Sequence, residues 1–278
     1  MASGTRNRDA SQTVPEPIES SPSQVVSMPR TLFSTLMMPT EGVYASQLRH
    51  LKSLPVQTFL PTGYESKYAY PLIVFFHQHG GGDEQVLRLA PRISRRNAIY
   101  ISLRGPVPLD LQDDDGLPAY SWGEPGEHDE QLSEYLLKAV EQTRTEFHVH
   151  SERVYLAGVA EGAGMAYRMA LRHPKKFAGV ISINGTLPRP SEGPLFRDDE
   201  VQDLRVLIAH GAANEVVPLE LARRDFLALY GAGADVLLST YPCTHTVHPN
   251  MLRDVNRWVI RNVDYDACWD AEEDDFEE

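Results

Sequence analysis

A short segment with two glycines most constrains what this 278-residue chain can fold into. Residues 158–162 read Gly-Val-Ala-Glu-Gly, directly after the apolar run 154–157 and directly before apolar residues at helical spacing around Met165 and Met169. A strand that turns into a helix within so few residues brings the two backbones close together, so the flanking positions must be small. The segment therefore predicts a strand–turn–helix junction centred on Ala160.

Strand-like and helix-like segments alternate from about residue 55 to residue 262. The predicted strands are continuous Val/Ile/Leu runs bounded by Gly, Pro or His, which is typical of strands buried on both faces of a parallel sheet. These strands are predicted at residues 55–60, 72–77, 98–103, 154–158, 179–183, 205–209 and 235–241. Helical spacing marks residues 132–147, 165–171 and 226–230, and a last helix is predicted to begin near Pro249. The alternation predicts an α/β fold with a mostly parallel central sheet and helices on both faces.

Three segments break this pattern. Residues 105–130 are rich in Gly, Pro and Asp and are predicted to form a long, functional or mobile loop. Residues 1–27, rich in Ser, Pro, Gln and Thr, are predicted to be a disordered leader. Residues 264–278 hold nine carboxylates and no Lys or Arg, which predicts a disordered acidic tail. The α/β domain is therefore expected to occupy residues 28–263.

Charge and composition exclude several classes of partner. Most of the net charge of −13 lies in the tail, and an acidic chain without a basic surface argues against a nucleic-acid partner. No apolar run approaches the roughly 20 residues that a membrane span needs, and the N-terminus has no apolar core of a signal peptide. We therefore expect a cytoplasmic protein, with Cys243 and Cys268 as reduced thiols. A protein partner that binds the acidic tail is left open.

Four short motifs follow predicted strands, in chain order. They are a His- and Gly-rich stretch at residues 77–82, the junction at 158–162, the stretch 210–218 that begins His-Gly and includes Asn214, and the loop 241–245 that ends at His245. Ligand sites of open α/β sheets lie at such strand ends. In this order the motifs resemble those of the phospholipase/carboxylesterase branch of the α/β-hydrolase superfamily, over roughly residues 55–262. The resemblance implies the α/β-hydrolase fold and a site for ester or acyl substrates.

The resemblance also assigns the catalytic positions. Ala160 stands where the family has its serine nucleophile, Asn214 stands where the family has its aspartate, and His245 matches the catalytic histidine. Alanine has no lone pair with which to attack, and asparagine can orient a histidine but cannot offset its charge. The sequence therefore excludes acyl-enzyme chemistry at position 160.

Four further residues are assigned to the pocket by the same resemblance. Backbone near Gly81 and Glu161 is expected to form the oxyanion hole, and the segment with Ser121 and Trp122 is expected to line the acyl pocket. His77 and His79 have no Asp, Glu or Cys at metal-ligand spacing and are expected to be structural or pocket-lining, and His210 is expected to be a buried, hydrogen-bonded histidine. No metal and no cofactor are predicted.

Other side chains could replace the changed triad members. Ser121 or Cys243 could serve as a nucleophile, Glu161 as a general base for water, and Glu215 as the acid beside the histidine.

Two functional hypotheses therefore stay open. One is an active hydrolase of ester or acyl substrates that uses a displaced nucleophile or a water activated through His245. The other is a pseudo-hydrolase that binds a small ester-like ligand or a protein partner without turnover. The missing serine favours the second hypothesis, whereas the retained glycines, oxyanion-loop pattern and histidine favour the first.

Overall fold

The computed structural model describes residues 41–47, 54–113, 116–189, 201–202 and 204–274, with the backbone alone at 46–47 and 264–274. These residues belong to one compact unit, Pro39–Glu278. The predicted leader at residues 1–27 lies outside the described residues. The predicted tail at 264–278 is described only as helical backbone up to Asp274, so its disorder stays a prediction.

The central sheet has eight strands among the described residues. The strands of the chain are β1 (Gly42–Gln47), β2 (Pro55–Leu60), β3 (Tyr70–Phe76), β4 (Ile99–Leu103), β5 (Val107–Gln112), β6 (Pro118–Ser121), β7 (Val149–Val159), β8 (Gly179–Ile183), β9 (Arg205–Gly211) and β10 (Asp235–Tyr241). The order in the sheet is β1-β2-β4-β3-β7-β8-β9-β10. β2 runs antiparallel to β1 and β4, and the remaining neighbours are parallel. The predicted mostly parallel sheet is therefore confirmed.

Helices cover both faces of this sheet. They are α1 (Asp83–Leu87), α2 (Ala90–Ile93), α3 (Asp129–Glu146), α4 (Glu161–Arg172), α5 (Leu219–Gly231) and α6 (Pro249–Asp274). Consecutive residues of β3 point to opposite faces, so Val74 joins the apolar core beneath α3, α4 and α5, while Phe75 joins the core beneath α1, α2 and α6. Burial on both faces explains why the strands read as continuous apolar runs.

Some elements differ from the sequence-based expectation. The predicted loop at 105–130 contains the antiparallel pair β5 and β6, in which Val107 pairs with Ser121 and Gln112 with Pro118. The loop prediction was wrong there because Pro108 and Asp110 are of types disfavoured in strands, although they alternate with apolar residues, and because the strand lies outside the core. The edge strand β1 was also not predicted, since its sequence has no continuous apolar run.

No helix in the described part of the chain is long and apolar enough to cross a membrane.

Candidate active site

Ala160 occupies a strained turn between β7 and α4. Its backbone angles are φ 50° and ψ −112°, in a region that non-glycine residues rarely adopt. The turn is held by a hydrogen bond from the Ala160 amide to the carbonyl oxygen of Ile183 at 2.9 Å and by one from the Ala163 amide to the Ala160 carbonyl oxygen at 3.1 Å. Strain of this kind persists only where the surroundings fix it, and it concentrates at functional sites.

The two glycines of the turn are needed for close packing. A Cβ atom at Gly158 would lie 2.1 Å from the carbonyl oxygen of Gly162, and a Cβ atom at Gly162 would lie 2.2 Å from that of Phe76. Each would overlap a backbone atom that cannot move without moving a strand or a helix. The predicted strand–turn–helix junction is therefore present, and the small residues serve the purpose that the sequence indicated.

Asn214 holds the imidazole of His245. Their Oδ1 and Nδ1 atoms are 3.1 Å apart, and the same Oδ1 accepts hydrogen bonds from the amides of Val216 at 3.1 Å and Val217 at 3.0 Å. Because an amide oxygen can only accept, the hydrogen bond with His245 requires the imidazole to donate, which places its proton on Nδ1. The second ring nitrogen, Nε2, therefore carries a lone pair.

His245 is neutral at pH 7. Burial lowers its pKa, and the neighbouring His210 lowers the pKa further. Asn214 is buried, whereas its neighbour Glu215 is exposed, so the structure places the amide and not the carboxylate against the imidazole. An uncharged, oriented imidazole can accept a proton, but it lacks the negative partner that would stabilise it after protonation.

Asn184 connects the loops of this site and was not singled out from the sequence. Its backbone is left-handed, at φ 52°. Its side-chain oxygen accepts a hydrogen bond from the Gly211 amide at 2.9 Å, and its side-chain nitrogen donates to the Thr246 carbonyl oxygen at 2.8 Å. Asn184 thus ties the ends of β8 and β9 to the loop that carries His245. The sequence feature that could have identified it is the Asn-Gly pair at residues 184–185, directly after a predicted strand.

Glu161 joins the turn to the end of β6. Its Oε1 atom accepts hydrogen bonds from the Ser121 hydroxyl at 2.8 Å and from the Trp122 amide at 3.3 Å. The indole N–H of Trp122 donates in turn to the His77 carbonyl oxygen at 2.8 Å. The structure therefore brings the residues predicted for the acyl pocket, Ser121 and Trp122, next to Glu161 and the loop after β3.

Gly81 lies in that loop, and its amide is engaged within the loop itself. The Gly81 amide donates to the Gln78 carbonyl oxygen at 3.0 Å, and the Gly81 carbonyl oxygen accepts from the Tyr120 amide at 2.9 Å. Glu161 is the first residue of α4, where a backbone N–H has no acceptor within the helix. The Gly81 amide is thus bonded within its loop and the Glu161 amide lies at the start of α4, and an oxyanion hole built from backbone near these residues stays a prediction.

The side chains considered as substitute nucleophiles are engaged elsewhere. The Ser121 hydroxyl donates to Glu161, as described above. The Cys243 thiol donates to the Thr246 carbonyl oxygen at 3.5 Å, and burial raises its pKa, so the reactive thiolate is disfavoured. Among the described residues, the hydrogen-bond partner of His245 is Asn214.

His77 and His210 are buried structural histidines. His77 donates from Nδ1 to the Gln78 carbonyl oxygen at 2.7 Å and accepts at Nε2 from the Gly105 amide at 2.9 Å. His210 lies 2.8 Å from the Val217 carbonyl oxygen through Nε2. No group of three or more His, Cys, Asp or Glu residues that could hold a metal ion occurs within the described ranges.

The buried His77 predicts acid sensitivity. Burial lowers its folded-state pKa from 6.5 to about 4. The unfolded chain therefore binds more protons between these values, and the free energy of unfolding should fall as the pH is lowered from 6.5 towards 4, by at most about 1.4 kcal/mol per pH unit. NMR titration of the ring protons, assigned with a His77→Asn variant, should give a midpoint near 4. A midpoint near 6.5 would contradict the prediction.

Comparison with known sequences identifies relatives. A family model described as Phospholipase/Carboxylesterase matches residues 64–262. Acyl-protein thioesterase 1 of Mycosarcoma maydis is 30% identical over 120 residues, which cover 41% of this chain and 50% of that protein. Acyl-protein thioesterase 1 of Cryptococcus neoformans var. neoformans serotype D is 22% identical, over 77% of this chain and 98% of that protein. The chain thus spans about half the length of relatives such as the M. maydis protein.

Comparison with solved structures shows the same fold. The carboxylesterase of Bacillus cereus has a TM-score of 0.58 at 18% identity, and the match covers 74% of this chain and 94% of that one. Acyl-protein thioesterase 2 of Zea mays has a TM-score of 0.56 at 21% identity, over 74% of this chain and 98% of that one. Since the family model covers most of the described domain, the chain belongs to the phospholipase/carboxylesterase family and has the α/β-hydrolase fold.

Proposed function

We propose that this protein binds small molecules with an ester or thioester group and forms no acyl-enzyme with them, because its triad is degenerate at Ala160 and Asn214. The ligand class is suggested by the relatives, which are named acyl-protein thioesterases and carboxylesterases. A cytoplasmic location and a protein partner for the acidic tail stay predictions from the sequence.

The observation that carries this proposal is the methyl group of Ala160 on the strained turn. The turn keeps a backbone conformation that costs on the order of 1–3 kcal/mol, yet it presents no atom that can attack a carbonyl. A nucleophile displaced to another residue is not supported, since the Ser121 hydroxyl and the Cys243 thiol are both hydrogen-bonded away from His245. Binding without covalent turnover is the function that this arrangement supports best.

One observation favours a second candidate, slow hydrolysis by water. His245 is neutral, is oriented by Asn214 and has a lone pair on Nε2, so it could take a proton from a water molecule that attacks a bound ester. General-base catalysis of this kind contributes typically about 10²–10⁴-fold, far less than a complete triad.

The two candidates predict different results for His245→Ala. With p-nitrophenyl acetate, we expect the natural protein and the variant to hydrolyse the ester equally slowly, because position 160 offers no hydroxyl for the imidazole to activate. Circular dichroism of both proteins controls for folding. A loss of activity of about tenfold or more in the variant would instead show that the His245 imidazole catalyses the hydrolysis, and would contradict binding without turnover.

A further inference from the structure

Only one of the two carboxylate oxygens of Glu161 accepts hydrogen bonds in the part of the chain that the structure describes. Oε1 accepts hydrogen bonds from the Ser121 hydroxyl and the Trp122 amide. Oε2 is buried and has no hydrogen-bond partner in the described residues. An ionised carboxylate offers about four lone-pair sites, so half of its capacity is unused. A buried polar atom left in this state is costly unless something binds it.

The charge of Glu161 is also poorly balanced. Among the described residues, the basic group within 4.0 Å of it is His79, whose Nδ1 lies 3.4 Å from Oε2 and is charged only when protonated. No Lys or Arg in that part of the chain forms an ion pair with Glu161. The carboxylate contacts Ser121 and Trp122, which are predicted to line the acyl pocket, and Glu161 directly follows Ala160. We therefore expect this negative charge near the reactive carbonyl of a bound ligand.

We propose that Glu161 is a specificity-determining residue, which selects ligands that carry an ammonium group next to the acyl carbonyl. The inference rests on the proposed function, since it requires an ester or acyl ligand at Ala160. An ammonium group offers N–H donors and a positive charge, which together satisfy Oε2 and neutralise the carboxylate. A ligand with a carboxylate at the same place would meet a like charge and be rejected.

His79 covers Oε2 in the absence of such a ligand. Its side chain is 63% exposed, against 26% for Glu161, and its contact with Oε2 exceeds the usual length of a charged hydrogen bond. Moving an exposed side chain whose contact with Oε2 is weak costs little, so the ligand ammonium takes the place of the imidazole. His79 is therefore a competitor for Oε2 and not a partner of the ligand.

The test uses three probes of matched shape. They are L-phenylalanine methyl ester, methyl 2-methyl-3-phenylpropanoate and monomethyl benzylmalonate, which carry an ammonium, a methyl and a carboxylate group at the same carbon. At about pH 6 the α-ammonium group is charged. Calorimetric titration should show the ammonium ester binding roughly 10- to 100-fold more tightly than the methyl analogue, the range expected for one hydrogen bond between charged groups. The carboxylate probe should bind most weakly.

Glu161→Gln is the matched variant. Its amide oxygen can still accept from Ser121 and Trp122, so the turn keeps its connection to β6 while the charge is lost. The variant should bind the ammonium probe and the methyl probe with about equal affinity. Equal binding of these two probes by the natural protein, or an unchanged preference in the variant, would overturn the inference and leave the proposed function standing.

His79→Ala provides an independent measurement. Removal of the competitor should increase the preference for the ammonium probe severalfold, and no increase would contradict the role given to Oε2. This variant also keeps the test decisive if Glu161→Gln does not fold. If none of the three probes binds to any of the proteins, the proposed function itself is wrong. Binding without a preference among the probes would contradict only the role proposed for Glu161.

Discussion

Ala160→Ser should convert this protein into one that a fluorophosphonate probe labels covalently at position 160, where the natural chain has no oxygen that could react. Serine adds one hydroxyl to alanine, and the turn at φ 50° is already in place. The Nε2 lone pair of His245 is available to take the hydroxyl proton. In a serine protease, loss of the serine costs about 10⁶-fold in turnover, and replacement of the triad aspartate by asparagine costs about 10⁴-fold. With Asn214 unchanged, we therefore expect Ala160→Ser to react roughly 10⁴-fold more slowly than a complete triad would.

The labelling experiment has an internal control. Reaction with the probe is followed by intact mass spectrometry for the natural protein, Ala160→Ser, and Ala160→Ser combined with His245→Ala. Only the single variant should gain the mass of one phosphonyl group, on the peptide that contains position 160. Labelling of the natural protein at Ser121 would show that a displaced nucleophile exists and would contradict the proposed function. An unlabelled Ala160→Ser that is folded would show that position 160 and His245 do not meet.

The core of the fold was predictable because a strand that is buried on both faces has apolar residues at consecutive positions. Ile73, Val74, Phe75 and Phe76 are all apolar since helices cover both faces of β3. Strands without that cover leave a weaker signal. In β1, Val43 is exposed, and β5 pairs with its neighbour in the chain and packs outside the core. These strands are held by pairing with a neighbouring strand, and a search for apolar runs in the sequence does not detect such pairing.

The candidate site was predictable where it depends on backbone geometry and not where it depends on distant side chains. Gly158 follows from the approach of β7 to α4, and Gly162 from the approach of α4 to β3. Asn214 and His245 follow strands that end at one edge of the sheet. The contact of Glu161 with Ser121 joins residues 40 positions apart, and Asn184 is 62 positions from Thr246. Nothing local in the chain specifies these pairs. The catalytic and binding roles of the site residues stay predictions.

Substitution by alanine at Gly162 and at Gly164 should change the free energy of unfolding in opposite directions. At Gly162 the new Cβ atom would lie 2.2 Å from the Phe76 carbonyl oxygen and 2.5 Å from that of His77. Both are backbone atoms after a buried strand, so relief requires α4 to move away from β3. Overpacking of this kind costs typically 1–3 kcal/mol, and a clash with fixed backbone places Gly162→Ala at about 3 kcal/mol or more.

Gly164→Ala is the matched control, two residues further along the same helix. Its Cβ atom would meet nothing closer than 3.7 Å, an ordinary van der Waals distance. Alanine is favoured over glycine inside a helix by roughly 0.5–1 kcal/mol, so this variant should be slightly more stable than the natural protein. Urea unfolding of both variants measures the two changes. Equal stabilities would mean that Gly162 does not lie this close to the end of β3 in solution. The geometry that positions Ala160 would then be wrong as well.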